Sequence, residues 1–419
     1  MKSSTVQFRD IISQKEYFKI LMANTISRFG DSLDSVAFVW LVYAITGSAS
    51  WTAIITAINF IPTVVIQPFA GTLVEGMNKK RVMVVTDFIR GIVVAALAIL
   101  YVQNCVTPWI LVVFTLIIST SEAFTMPAST AILPKLLGKD FYEYGVALNG
   151  TVTTVVQLIG LACAGIIIGL FGVQTAIFID GITFFLSGII RGLVKLEEEK
   201  KRKIQLNLKA FFSDFKEGIQ YIIVRPIIRN FILLAVILNA ILVPMNAFEA
   251  PFVKEVLKQG SELLSIIGIG FVIGAGIGSA TFPALSKRFS IRTRFTISGI
   301  LIGVSYIGLL TGGKVTEYKY LVYGSTLLMV VLMGCAVAHL NASISVLVMK
   351  LVEENYLSRV SAIMNAGSVA AMPVTSFVCS LLALVVPVGW FFFICGVLTI
   401  ILFIIIAVKK VRFEEVQDE

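Results

Sequence analysis

Between Tyr17 and Lys410, one run of roughly 20 to 28 mostly apolar residues follows another, and short breaks between the runs hold most of the charge. A hydrocarbon core about 30 Å thick is crossed by about 20 helical residues, and within it only helices or closed barrels satisfy the backbone. The pattern predicts an all-α membrane protein. Composition excludes the main rival: 57% hydrophobic and 14% charged residues, with a mean hydropathy of +0.93, do not suit a soluble 419-residue enzyme, whose charged share would be about a quarter.

Twelve spans are expected at approximately 17–45, 50–75, 80–102, 107–132, 144–170, 173–195, 229–252, 261–286, 292–312, 319–345, 358–385 and 388–410. An even number puts both termini on one side. Lys254, Lys258, Lys314 and Lys319 fall on one face and Arg28 and Arg90 inside the membrane, while every other Lys and Arg falls on the opposite face. Positive charge is retained in cytoplasmic loops, so both termini and the central loop are expected in the cytoplasm, at the cell (inner) membrane. The net charge of +9 then needs no nucleic-acid partner, because anionic lipid headgroups attract such a face. No cleavable signal is expected in the polar stretch Met1 to Lys19. The five cysteines, Cys105, Cys163, Cys335, Cys379 and Cys395, lack metal-ligand spacing and are expected to be reduced packing residues.

The segment from Lys195 to Arg229 is the one long polar stretch, and it divides the chain six spans plus six. The expected organisation is an N-terminal six-helix bundle over 1–195, a cytoplasmic linker over 196–228 and a C-terminal six-helix bundle over 229–419. Within the linker, Leu208, Phe211, Phe212, Phe215, Ile219 and Ile222 recur at helical spacing against Lys209, Asp214, Lys216 and Glu217. Two readings stay open: an amphipathic helix on the membrane surface, or one packed on the bundles' cytoplasmic ends. A weak internal repeat supports the halving, since one offset maps Gly71, Lys80 and Arg81 onto Gly278, Lys287 and Arg288, and Gly160 onto Gly367. Gly270, Gly274 and Gly278, at four-residue spacing in span 8, predict a close helix–helix approach rather than a dinucleotide loop.

Several segments carry a resemblance. They are Gly71-Thr-Leu-Val-Glu75-Gly-Met-Asn78-Lys79-Lys80-Arg81 with Asp87 and Arg90 after it, Met126-Pro127-Ala128, Ala131-Ile-Leu-Pro134 and Phe178-Ile-Asp180-Gly-Ile-Thr183-Phe184. Pro244-Met-Asn246-Ala, Tyr356-Leu-Ser-Arg359-Val360 and Ala371-Met-Pro373 complete the set. With them, essentially the whole chain resembles the major facilitator superfamily, and within it the drug-efflux branch that includes the macrolide efflux proteins. It departs from that pattern at Glu75-Gly76, at Leu161 after Gly160, and at Ser358. The resemblance implies the major facilitator fold, a central cavity lined by spans 1, 4, 7 and 10, and gating by Gly71, Glu75, Lys80, Arg81, Asp87 and Arg90.

An ionisable side chain at mid-span costs about 2.5–3.5 kcal/mol on insertion scales, which makes each one a functional candidate. Arg28, Asp31 and Asp34 share one face of span 1; Glu122 sits on span 4, Asn246 and Glu249 on span 7, and the sole histidine, His339, on span 10. Arg28 and Asp31, one turn apart, are read either as a neutralised pair or as site residues. Asp34 and Glu122 have no in-span basic neighbour and are candidates for binding a proton or a cationic substrate. Glu249 is read as facing the outer water, His339 as a hydrogen-bonded packing residue with titration kept open, and Asp87 with Arg90 as a gate or helix-anchoring pair. Phe29, Phe38, Trp40, Phe60, Phe124, Phe248 and Phe252 intersperse these groups and favour a greasy ligand.

The function expected is export of an amphipathic drug-like substrate by alternating access, a secondary active process coupled to proton antiport. Open alternatives are an exporter or flippase of a lipid-like molecule or siderophore, a facilitator not driven by protons, and, in another class, a non-transporting membrane receptor. No enzymatic activity, cofactor or metal is expected. The partners expected are the small substrate, protons and membrane lipids, and the working form is a monomer.

Overall fold

A computed structural model describes residues 14–137, 141–196, 216–217, 219–314, 316–352 and 354–408, nearly all helical, with no strand among them. Helix α1 runs Lys15–Thr46. Helix α2 comes in two segments, Ala49–Val65 and Gln67–Gly76. Then follow α3 (Lys79–Val102), α4 (Pro108–Leu136), α5 (Tyr142–Phe171), α6 (Val173–Gly192) and α7 (Pro226–Ala247). The last five are α8 (Glu262–Arg288), α9 (Ile291–Leu309), α10 (Lys319–Leu351), α11 (Glu354–Leu382) and α12 (Val388–Val408). Eleven helices among the described residues are long and apolar enough to cross a membrane. The first segment of α2, with 17 residues, falls short and needs the second for a full crossing.

Local chemistry explains the breaks. Pro68 has no N–H to give and crowds the carbonyl one turn earlier, so α2 parts at Ile66. Asn78 caps α3, its side chain accepting from the backbone N–H of Arg81 at 2.8 Å. Thr107 caps α4 ahead of Pro108, and Ser290 caps α9. Helix α7 gives way after Ala247 to a short turn and a π-helical stretch at Phe252–Val256.

The chain divides into two compact units, Met1–Thr46 with Ile58–Leu206 and Gly47–Ala57 with Asn207–Glu419. In the first, α6 packs on both α1 and α3, and α5 on α1. The helices touch at glycines. A Cβ added to Gly30 of α1 would run into Thr183 and Asp180 of α6, and one on Gly160 of α5 would stand 2.6 Å from the Cβ of Ser32. An apolar floor closes the end of this unit where α1 begins: Tyr17, Ile20, Val74, Met83, Ile132 and Val194 are buried together and the Tyr17 hydroxyl donates to the Gly145 carbonyl at 2.7 Å.

In the second unit, α8 packs on α10 and α9 on α12. Gly270, Gly274 and Gly278 are buried against α10, as their spacing predicts, and a side chain at Gly274 would strike the Val331 backbone. Conversely, a side chain at Gly334 of α10 would strike the Phe271 carbonyl. Phe248 and Phe252, expected among the ligand-facing aromatics, are instead buried against α12, their rings 4.6 Å from Phe391 and 3.9 Å from Phe392. The reason is that the chain turns at the end of α7 and points both rings inward.

Of the amphipathic linker helix, Leu208, Lys209, Phe211, Phe212, Asp214 and Phe215 lie outside the described residues. Residues 219–224 are helical, with Tyr221 and Ile222 buried. Cys105 is exposed in the α3–α4 connection, which corrects its packing assignment, and the other four cysteines are buried or half-buried thiols.

Candidate functional site

The polar residues of the first unit gather where α1, α3, α5 and α6 meet. Each helix supplies them at three- or four-residue steps, so they form stripes on the packed faces. Helix α1 contributes Asn24, Ser27, Asp31 and Asp34; α3 contributes Asp87 and Arg90; α6 contributes Asp180, Thr183, Ser187 and Arg191.

Two ion pairs anchor the cluster. Arg90 Nη2 meets Asp31 Oδ1 at 2.6 Å, tying α3 to α1, and the Arg90 guanidinium lies 4.0 Å from the Phe184 ring centroid. Arg191 Nη1 meets Asp87 Oδ1 at 2.6 Å, tying α6 to α3. Ser187 donates to the other Asp87 oxygen at 2.7 Å, and Arg191 Nη2 donates to Asn24 Oδ1 at 3.0 Å. From Asn24 the chain of bonds continues to α5, since its Nδ2 donates to Asn149 Oδ1 at 3.0 Å. Asp87 and Asp180 are almost fully sealed, at 0% and 1% exposure.

These partners correct two sequence readings. Arg28 and Asp31 do not neutralise one another: Arg28 is exposed and donates to Gln157 of α5 at 2.9 Å, while Asp31 takes Arg90. Asp87 and Arg90 do not pair either. An i, i+3 spacing puts two side chains on one face, yet facing helices offer each a better-directed partner. Asp34 is half-buried with no ion pair or hydrogen bond among the described residues. Glu122 is exposed on α4, within electrostatic range of Arg90.

The loop after α2 also works by anchoring. Lys80 Nζ donates to the Val194 carbonyl at 2.8 Å, fastening the start of α3 to the end of α6, and Lys79 is buried against Val74 and Met77 carbonyls. Arg81 is exposed, Gly71 has open space where a side chain would stand, and the side chain of Glu75 lies outside the described residues.

In the second unit the predicted residues stand apart. His339 on α10 is buried, 3.0 Å from the Thr281 hydroxyl of α8, with the Phe282 ring 5.9 Å away. That agrees with a hydrogen-bonded packing histidine. Asn246 is exposed and donates to the Leu242 carbonyl one turn back. Glu249 is half-buried with no partner among the described residues, against the reading that it simply faces outer water.

Sequence reasoning missed Asn24, Asn149, Gln157, Ser187 and Arg191. Asp180, Thr183, Ser187 and Arg191 form a periodic polar stripe on α6 that could have revealed the last two.

A family model described as Major Facilitator Superfamily matches residues 20–352 and, in an overlapping second match, 245–418. The chain belongs to the major facilitator superfamily. Among members of this superfamily, an MFS-type transporter of Bacillus subtilis is 21% identical, covering 97% of this chain and 96% of its own. Macrolide efflux protein A of Streptococcus pyogenes is 21% identical over 93% of this chain and 95% of its own. The multidrug efflux pump Tap of Mycobacterium tuberculosis is 24% identical over 69% and 70%. Among solved structures, the nucleoside transporter NupG aligns with a TM-score of 0.75 at 14% identity, covering 95% of this chain and 99% of its own. A bacterial homologue of the iron transporter ferroportin in an inward-facing state aligns at 0.70 with 13% identity, over 93% and 98%. These likenesses establish the major facilitator fold. The protein is a multi-pass membrane transporter of this superfamily, not an enzyme.

Proposed function

We propose that the protein exports an amphipathic, drug-like molecule by alternating access and drives that export by proton antiport. The observation that carries this reading is a surplus of acid in the first unit: Arg90 and Arg191 are engaged by Asp31 and Asp87, while Asp34 and the exposed Glu122 make no ion pair among the described residues. A carboxylate left unpaired in a membrane span suits a group that takes up and releases a proton. For the substrate, α1 and α5 frame a groove of about 340 Å³ lined by Phe18, Leu21, Met22, Thr25, Ile26, Leu148 and Val152. The same two helices carry the polar Asn24–Asn149 and Arg28–Gln157 bridges, so a molecule with one greasy and one polar end matches the surface on offer. The likeness to macrolide and multidrug efflux proteins points the same way.

In this reading the bundles 1–195 and 229–419 are joined by the linker 196–228, both termini face the cytoplasm and the monomer transports. One unit charge moving across 100 mV is worth about 2.3 kcal/mol, and tenfold accumulation needs about 1.4 kcal/mol, so one net charge per cycle sustains a gradient of roughly fortyfold.

The test is efflux of dyes, macrolides and nucleosides from liposomes under an imposed pH gradient, with Asp34→Asn and Glu122→Gln alongside the parent. Gradient-driven efflux of an amphipathic compound, lost in either variant, supports the reading. Efflux that ignores the gradient, or two variants that behave as the parent does, refutes proton coupling. A nucleoside as the only cargo refutes the drug-like substrate.

A further inference from the structure

We infer that Arg28 of α1 receives the acid group of the exported molecule, which makes the cargo an acidic amphiphile: one apolar body ending in a carboxylate, sulfonate or phosphate. This rests on the export reading above and names the class of molecule that reading leaves open.

Arg28 stands about 20 Å from the start of α1, at about 1.5 Å of rise per residue, so it lies well inside a 32-residue membrane helix. A cation at that depth is costly without an acidic partner. The unit's two buried arginines have one: Arg90 is held at 2.6 Å by Asp31 and Arg191 at 2.6 Å by Asp87. Arg28 has none among the described residues. Asp31, one turn away on α1, is spent on Arg90, and Asp34 stands about 9 Å further along the helix axis at the same rise. The hydrogen bond Arg28 does make is to a neutral group, Gln157 Oε1 of α5, which accepts from Nη2 at 2.9 Å. A guanidinium offers five N–H donors in a flat fork, and Arg28 is exposed, so most of that fork stands open to a ligand.

What lies beside the fork is apolar. Phe18, Met22 and Ile26 of α1, with Leu148 and Val152 of α5, line the groove of about 340 Å³. Thr25, in the same groove and one turn from Arg28, spends its hydroxyl hydrogen on the Leu21 carbonyl at 2.8 Å. From Phe18 to Ile26 the groove runs about 12 Å along α1, and its volume is at the small end of the roughly 300–1,000 Å³ typical of ligand sites. That suits one short chain or ring system rather than a two-chain phospholipid. An apolar body laid along this length brings its end group to Arg28. There charge and shape select an oxyanion that takes two N–H bonds at once, whereas a cationic end group meets the guanidinium as a like charge.

The experiment is equilibrium binding of radiolabelled decanoate, decanol and decylamine, which share one chain and differ in end group, to the full-length protein in phosphatidylcholine nanodiscs, with empty discs subtracted. The parent is expected to hold decanoate at least about tenfold more tightly than decanol, the worth of a charge-assisted hydrogen bond, and decylamine no better than decanol. Arg28→Gln removes the charge, and Gln157→Glu supplies a carboxylate from within the protein. Each is expected to erase the preference while binding decanol as the parent does, which also reports an intact fold. If Arg28→Gln loses decanol binding too, Gln157→Glu decides. The ratio of decanoate affinities between parent and Arg28→Gln, which the charge of the disc does not alter, should persist when phosphatidylglycerol replaces phosphatidylcholine. Its loss there assigns the fork to a bilayer lipid and overturns the proposal. So does a parent that binds decanoate no more tightly than decanol, or a preference that survives in either variant. Should decanoate be preferred as expected while efflux ignores a pH gradient, the antiport reading fails and the acid site stands. Gradient-driven efflux confined to cationic compounds leaves the export reading in place and overturns the acid site.

Discussion

Replacing Arg191 by Met strips a sealed carboxylate of its cation while keeping most of the side chain's length. The two charges sit 2.6 Å apart, with Asp87 0% and Arg191 5% exposed at the side chain. At an effective dielectric of 20, that separation corresponds to about 6 kcal/mol of attraction before the cost of dehydrating both groups is set against it. After Arg191→Met, Asp87 keeps the Ser187 hydroxyl as its hydrogen-bond donor among the described side chains, and orphaning one member of a buried pair costs about 3–5 kcal/mol. Asp87→Leu with Arg191→Met removes both charges together, and apolar replacement of a whole buried pair is often neutral or better. The double variant is therefore expected to recover at least half of what the single one loses. Equilibrium unfolding in mixed micelles, followed through tryptophan fluorescence, measures all four corners of the cycle. If Arg191→Met costs less than about 1 kcal/mol, or single and double variants agree within about 0.5 kcal/mol, the pair is not the α3–α6 clamp described above.

Four further changes test other joints by the same unfolding assay. Asn78→Ala removes the cap on α3 and should cost about 1 kcal/mol. Lys19→Ala breaks a 2.8 Å ion pair with Glu16 that is about one-third exposed on both sides and an exposed 3.1 Å hydrogen bond to the Leu193 carbonyl; water already screens both, so the change should stay within about 1 kcal/mol. Gly274→Val drives a side chain into the α10 backbone and should cost at least about 2 kcal/mol, whereas Gly276→Ala, on an open face of the same helix, should be neutral or stabilising by up to about 1 kcal/mol.

The spans were legible because burial in lipid imposes one rule along a helix's whole length, and most observed boundaries fall within a few residues of the one expected, although α7 ends at Ala247 rather than 252 and α10 at Leu351 rather than 345. The glycine contacts of α8 were legible too, since a four-residue step has one geometric meaning. Ion-pair partners were not. Spacing within a helix fixes which side chains share a face, but Asp87 and Arg90 each chose partners from other helices, Arg191 at 104 residues' separation and Asp31 at 59. Those choices depend on the register of neighbouring helices, which hydropathy does not encode. Asp180 shows both sides: its place on a polar stripe could be read, whereas its burial against Gly30 required the packing of α1 on α6.

The crossing of α8 and α10 interlocks at two glycines, each set against the other helix's backbone. A clash at an ordinary contact can be relieved by trimming the opposing residue, but here the opposing atoms are the backbone of Val331 and of Phe271, which no substitution removes. Mutational searches should accordingly find no second-site suppressor at Val331 for a bulky residue at Gly274, nor at Phe271 for one at Gly334. Recovery would have to come by reversion, which makes this crossing a fixed point around which the rest of the second unit is free to diversify.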